Sequence, residues 1–228
     1  MNARPKFSRV CAWVVALALI VSLGGPFLKL TSDAAAVDTQ STNVIMNYNS
    51  WSSFSGKLAQ DGDPVAVELI TRSGSNKAVQ MTVGTPSSGA ANVGLVPDST
   101  DWSGAVGLQM YVKNPSETDV MAYSPRFFCN NTSAQTDFWV MGNGKPYSLV
   151  SGTDVTTETS AYSFVFLPAG FEGYIRMPFT SFSGAWYGTQ PANINLANAG
   201  LIYATFDTNT YTGMSVIFDD VSLIKPLQ

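Results

Sequence analysis

The sequence predicts an all-β protein, an antiparallel sandwich or barrel, carried behind an N-terminal export signal. Short segments rich in Val, Ile, Thr, Phe and Tyr recur between clusters of Gly, Pro, Asn, Asp and Ser, the pattern of strands separated by turns. No window sustains an i, i+3, i+4, i+7 apolar stripe over helical length with good caps. Hydrophobic residues make up 45% of the 228-residue chain and charged residues 12%, a composition that can bury a core and is far from a disordered one.

The leader comes first. Arg4, Lys6 and Arg9 precede an apolar run from Val10 to Val21 that continues through Leu23, and Gly24, Gly25 and Pro26 break it. Ala34, Ala35 and Ala36 then supply small residues suited to a signal-peptidase cut, which makes residues 1–36 a signal peptide. A buried core helix would leave the basic flank and the alanines unexplained. An uncleaved anchor reaches spanning length only if Gly24, Gly25 and Pro26 are counted as apolar. Cys11 lies at the start of the run, so it is no lipoprotein acylation site. The chain is expected to be secreted, or displayed at the cell surface, with a mature start near Val37.

Residues 37–228 are expected to form one domain, since no repeat or Pro-rich linker divides them. They retain 8 basic and 15 acidic side chains, a net charge of −7, against −4 for the whole chain. That balance argues against nucleic acid as a partner. The chain has no His, which removes Ser-His and Cys-His nucleophiles and imidazole metal ligands. A single cysteine, Cys129, remains after cleavage, so stability must come from the core or a metal rather than an internal disulfide. Following Phe127 and Phe128, it reads as a small buried hydrophobe. The domain is expected to be a monomer free of the membrane.

Ten strands are expected, at Val65–Thr71, Ala78–Val83, Ala105–Val112, Val120–Phe128, Asp137–Met141, Tyr147–Val150, Tyr162–Leu167, Gly173–Phe179, Leu201–Phe206 and Met214–Ile224. Period-two alternation sorts their faces. Val106, Leu108, Met110 and Val112 share one face, leaving Gln109 and Tyr111 on the other. Ile175, Met177 and Phe179 point inward, which turns Tyr174 and Arg176 outward. Phe138 and Val140 are set against Asp137, Trp139 and Met141. Each of these strands thus places an aromatic beside a polar group on its non-core face. The arrangement suits sugar rings, which stack on aromatic faces while Gln109, Asp137 and Arg176 meet the hydroxyls. It suits equally well ordinary strand aromatics covering a neighbouring loop. Alternation alone does not separate the two.

Three segments add a resemblance. Asp101-Trp102-Ser103-Gly104, Gly107-Leu108 and Val112-Lys113-Asn114-Pro115 resemble the "DWSG…GL.f.vKN" stretch of jelly-roll carbohydrate-binding modules of the galactose-binding-like class. These modules are found attached to bacterial cellulases and related glycosidases. Gly170–Gly173 with Ile175–Phe179 resembles their "G.w..v.iPf..f" strand. Asn195–Asn198, Leu201–Tyr203 and Val216–Ile224 resemble their "l.nl..i.iy…f.iDDi.li" ending, and Val44–Trp51 sits at their "FE…W" opening. The resemblance implies a two-sheet antiparallel jelly-roll sandwich that binds polysaccharide without cleaving it. Trp102 then belongs to the packing framework.

The resemblance also implies a structural Ca2+, held by the acidic pair Asp219 and Asp220 and by the opening strand. Alternation puts Asp219 on the face of Ile217 and Val221, and an inward carboxylate needs a cation or several donors. Asn47-Tyr48-Asn49 departs from the acidic opening, and backbone amides at a strand kink would satisfy the pair as well.

Two other functions compete with this reading. A glycoside hydrolase needs two carboxyls fixed across a cleft. Glu68, Glu117, Glu158 and Glu172 form no clustered E-x-D-x-x-E strand, and no S-x-x-K supplies a Ser nucleophile. No enzyme is expected. A secreted glycoside hydrolase on the same β-sandwich stays the first alternative and a surface adhesion module binding protein through the same face the second, since fold alone excludes neither.

Overall fold

The computed structural model describes residues 40–129, 138–184 and 194–226. The leader and Asp137 lie outside them.

In chain order the strands are β1 (Gln40–Met46), β2 (Leu58–Gly62), β3 (Val65–Ser73), β4 (Asn76–Val83), β5 (Ala90–Leu95), β6 (Gly107–Lys113), β7 (Met121–Cys129) and β8 (Phe138–Met141). They continue with β9 (Pro146–Ser151), β10 (Asp154–Thr159), β11 (Val165–Leu167), β12 (Glu172–Pro178), β13 (Phe182–Gly184), β14 (Ala199–Asp207) and β15 (Ser215–Pro226). A one-turn helix, α1 (Thr208–Tyr211), joins the last two. The first sheet runs β10-β9-β12-β6-β15-β4-β3, with β1 paired to the C-terminal part of β15. The second runs β13-β8-β7-β14-β5-β2, with β11 paired to β7. Every pairing is antiparallel.

Alternation explains why these segments form a sandwich. Leu108, Met110 and Val112 of β6 and Ile175 and Met177 of β12 face Phe127 and Cys129 of β7 and Phe206 of β14 in one continuous core. Trp102 is fully buried there, stacked on Phe179 at 6.2 Å, with its indole N–H donating to the Ser99 carbonyl at 3.0 Å. Cys129 packs in the same core. The framework role expected for Trp102 and the packing role expected for Cys129 both stand.

All ten expected strands are present in whole or part. Val106 is an exception to the facing: it precedes β6, is 42% exposed, and gives its backbone N–H to Ile224. β1, β2, β5, β10 and β13 went unread for local reasons. β10 is DVTTET and exposed at every residue, an edge strand without an apolar face. β5 carries Gly94 where Tyr203 of β14 lies so close that a Cβ would meet its ring at 2.5 Å.

Asp63 pins the end of β2 to two distant segments. Its carboxylate accepts from the Ser87 hydroxyl at 2.6 Å, the Ser88 amide at 2.7 Å and hydroxyl at 2.9 Å, the Gly89 amide at 2.8 Å and the Thr208 hydroxyl at 2.5 Å. With donors on both oxygens, the Ser87 hydroxyl foremost and then that of Thr208, the group is held far below the ordinary carboxyl range.

Candidate functional site

The neighbouring strands β12 and β6 bring four of the expected residues together. Tyr174 lies directly opposite Tyr111 and Arg176 opposite Gln109, so all four project from the outer face, while Ile175, Met177, Leu108 and Met110 project into the core. The register carries this face sideways. Val150 and Ser148 of β9 flank Tyr174 and Arg176 on one side, and Asp219 and Ser222 of β15 flank Tyr111 and Gln109 on the other. Arg176 donates through Nε to Gln109 Oε1 at 2.6 Å. This bond ties the guanidinium across to the adjacent strand and uses its Nε–H donor, leaving the Nη donors for other partners. Tyr174 and Arg176 are half-buried, so each keeps part of its surface open to solvent.

Tyr111 differs from the expectation of an open stacking platform. It is 2% exposed. The Arg72 guanidinium sits 3.4 Å from its ring centre, and Tyr174 meets it edge-on at 5.9 Å. Its hydroxyl donates to Glu172 Oε1 at 2.5 Å, and Lys113 Nζ holds the other oxygen of Glu172 at 2.8 Å. Burial, reinforced by the bond to Glu172, keeps the phenol protonated well above its usual range. The Lys113 ammonium and the Tyr111 hydroxyl hold Glu172 below the usual carboxyl range. Tyr111 therefore buttresses Tyr174. Gln109, 7% exposed, likewise positions Arg176 from beneath.

Trp139 is corrected outright. It lies on β8 in the other sheet, faces the core opposite Phe127, and is 6% exposed. The neighbouring pair Phe128 and Phe138 faces outward, joining Val140, Leu201 and Tyr203 in a second apolar cluster. Both faces of β8 are apolar, so alternation had no polar side to mark the exterior.

Asp219 is corrected in its facing. The pairing of β15 with β6 slips between Asp219 and Ser222, and Asp220 takes a φ of 42°. This bulge resets the alternation. Val221 enters the core, whereas Asp219 stays in register with Tyr111 on the outer face. Its side chain is nevertheless wholly buried. Arg72 Nη1 lies 2.9 Å and Asn76 Nδ2 3.1 Å from its Oδ2, and the Asp220 amide donates to its Oδ1 at 2.8 Å. Burial, then the neighbouring Asp219, raises the Asp220 carboxyl above its ordinary range.

Arg72, Lys113 and Glu172 thus shape the face, and the sequence reading missed them. Alternation in β3 does set Ala66, Glu68, Ile70 and Arg72 apart from Val65, Val67 and Leu69. What was missing is the strand order that brings β3 near β6.

No family model matches the chain, and no curated protein matches it. Solved structures do. The solution structure of CtCBM11 superposes with a TM-score of 0.55 at 15% identity, covering 86% of this chain and all (100%) of that one. A family 11 carbohydrate-binding module from Clostridium thermocellum, solved with a β-1,3-1,4-mixed-linked tetrasaccharide, superposes at 0.50 with 15% identity, covering 82% and 97%. The fold is that of the jelly-roll carbohydrate-binding modules. The sandwich and topology class expected from the motif resemblance therefore stand.

Proposed function

We propose that the chain is an exported, non-catalytic polysaccharide-binding module, and that a glycan lies along the outer face of the first sheet across Tyr174 and Arg176. The observation that carries this reading is the pairing of Tyr174 with Tyr111 and Arg176 with Gln109 across adjacent strands. A ring and a guanidinium are presented side by side, each braced by a buried partner. Preorganisation of this kind lowers the ordering cost of binding. The family 11 module solved with a mixed-linked tetrasaccharide supports the ligand class. The non-catalytic part is supported by how three of the buried or site-lining acids are used. Glu172 serves Tyr111 and Lys113, Asp219 serves Arg72 and Asn76, and Asp63 serves hydroxyls and amides. A glycosidase would need a pair free to act on a substrate.

Tyr174→Ala should weaken retention in affinity electrophoresis on a mixed-linked β-glucan about tenfold, the scale of one aromatic anchor. Its melting temperature should stay near that of the wild type, because the ring lies outside the core. Arg176→Ala should blunt discrimination among glucans more than overall retention, because directional hydrogen bonds read hydroxyl patterns. A Tyr174→Ala/Arg176→Ala protein that migrates as wild type on every retained glucan would remove this face from the account.

A further inference from the structure

We propose that the Arg72 guanidinium occupies, in this chain, the place of the structural calcium that the motif resemblance implies, so that the native fold draws no stability from that metal. The residues that would hold calcium are at hand but do not fit it. Calcium takes six to eight oxygen ligands with lone pairs directed at it. Here Oδ2 of Asp219 is turned to two donors, Arg72 Nη1 at 2.9 Å and Asn76 Nδ2 at 3.1 Å, and its Oδ1 accepts the Asp220 amide at 2.8 Å. Asp220 Oδ2 lies 3.9 Å from the same guanidinium nitrogen. The opening segment is engaged elsewhere. Asn47 Oδ1 accepts the Asn49 amide at 2.8 Å, and Asn49 Oδ1 accepts the Lys77 amide at 2.6 Å. A dication at this position would have to displace a positive charge already bonded to the carboxylate it needs.

The fold delivers Arg72 deliberately in sequence terms. It stands where the pairing of β3 with β4 slips, between Thr71 and Ser73. The intervening β4 carries Ala78 next to the Val79–Phe218 pair, hence level with Asp219. A methyl there leaves a path for the longer side chain. Beyond it the planar guanidinium lies on the Tyr111 ring at 3.4 Å. Lysine offers no such stacking plane and pays a larger hydration cost, whereas arginine is suited to a buried carboxylate against an aromatic face. The outcome is one cation joining β3, β6 and β15 through the carboxylate that the metal would otherwise take.

The test is the melting temperature of the purified protein in chelator and in millimolar calcium, since a ligand bound only by the native state raises it. The expected result is no shift. A rise with calcium overturns the proposal. Arg72→Met should melt well below the wild type, because it strands a buried carboxylate, and Arg72→Met/Asp219→Asn should recover part of the loss by removing both charges. An Arg72→Met protein as stable as the wild type, or a double variant no more stable than the single one, also overturns it.

Discussion

Trp139→Ala is expected to destabilise the domain by about 3–5 kcal/mol, the range for deleting a large aromatic from a packed interior. The indole faces the core opposite Phe127 and is 6% exposed. Thermal melting should register a fall of roughly 6–20 °C, at about 2–4 °C per kcal/mol for a domain of this size. Trp139→Phe should cost much less. It keeps most of the ring, and it deletes a buried Nε1 that finds no hydrogen-bond partner among the described residues and so carries a desolvation penalty in the native state. Glycan retention per folded molecule should be unchanged in both variants. A Trp139→Ala protein that melts with the wild type would mean that the ring does not fill the core.

The second large effect is expected at Asp63. Asp63→Asn keeps the shape but replaces one accepting oxygen by an NH2 group, which then opposes either the Ser87 and Ser88 donors on Oδ1 or the Gly89 and Thr208 donors on Oδ2. The β2 end, the segment before β5 and the start of α1 would all lose their common anchor. Urea denaturation near neutral pH should show a clearly lower midpoint for the variant. The effect should depend on pH in a defined sense. The native carboxyl is held far below its unfolded value by those hydrogen bonds. Its stabilisation is therefore complete above the unfolded pKa of about 4 and is lost progressively as the pH falls below that toward the native value. The gap between wild type and Asp63→Asn should accordingly narrow in acid. A gap that stays constant from neutral pH into strong acid would contradict a charge-based anchor.

The candidate face was legible where period-two alternation had a polar side to work with. In GLQMYVK and EGYIRMP the core residues are plainly apolar, so Gln109, Tyr111, Tyr174 and Arg176 fell on the correct side. In FWVM both faces are apolar, and the larger ring was sent the wrong way. At Asp219 the alternation was read through a bulge that nothing in the local residues marks. A positive φ at Asp220 is the structural cause, and an aspartate tolerates it without advertising it as a glycine would. The contribution of Arg72 was invisible for a different reason. Its partners lie 147 residues away at Asp219 and on β6 at Tyr111, and their meeting depends on β4 and β15 standing between β3 and β6. Strand order is a property of the whole chain, so no local window contains it.

The most direct test of the account is a pull-down of the purified protein on a panel of insoluble and gel-immobilised polysaccharides, with the supernatant assayed for released sugar. The account predicts retention on at least one β-linked glucan, no sugar release on prolonged incubation, and loss of retention in the Tyr174→Ala/Arg176→Ala variant. Soluble oligosaccharide appearing with time, or wild-type protein left in the supernatant of every polymer, would contradict it.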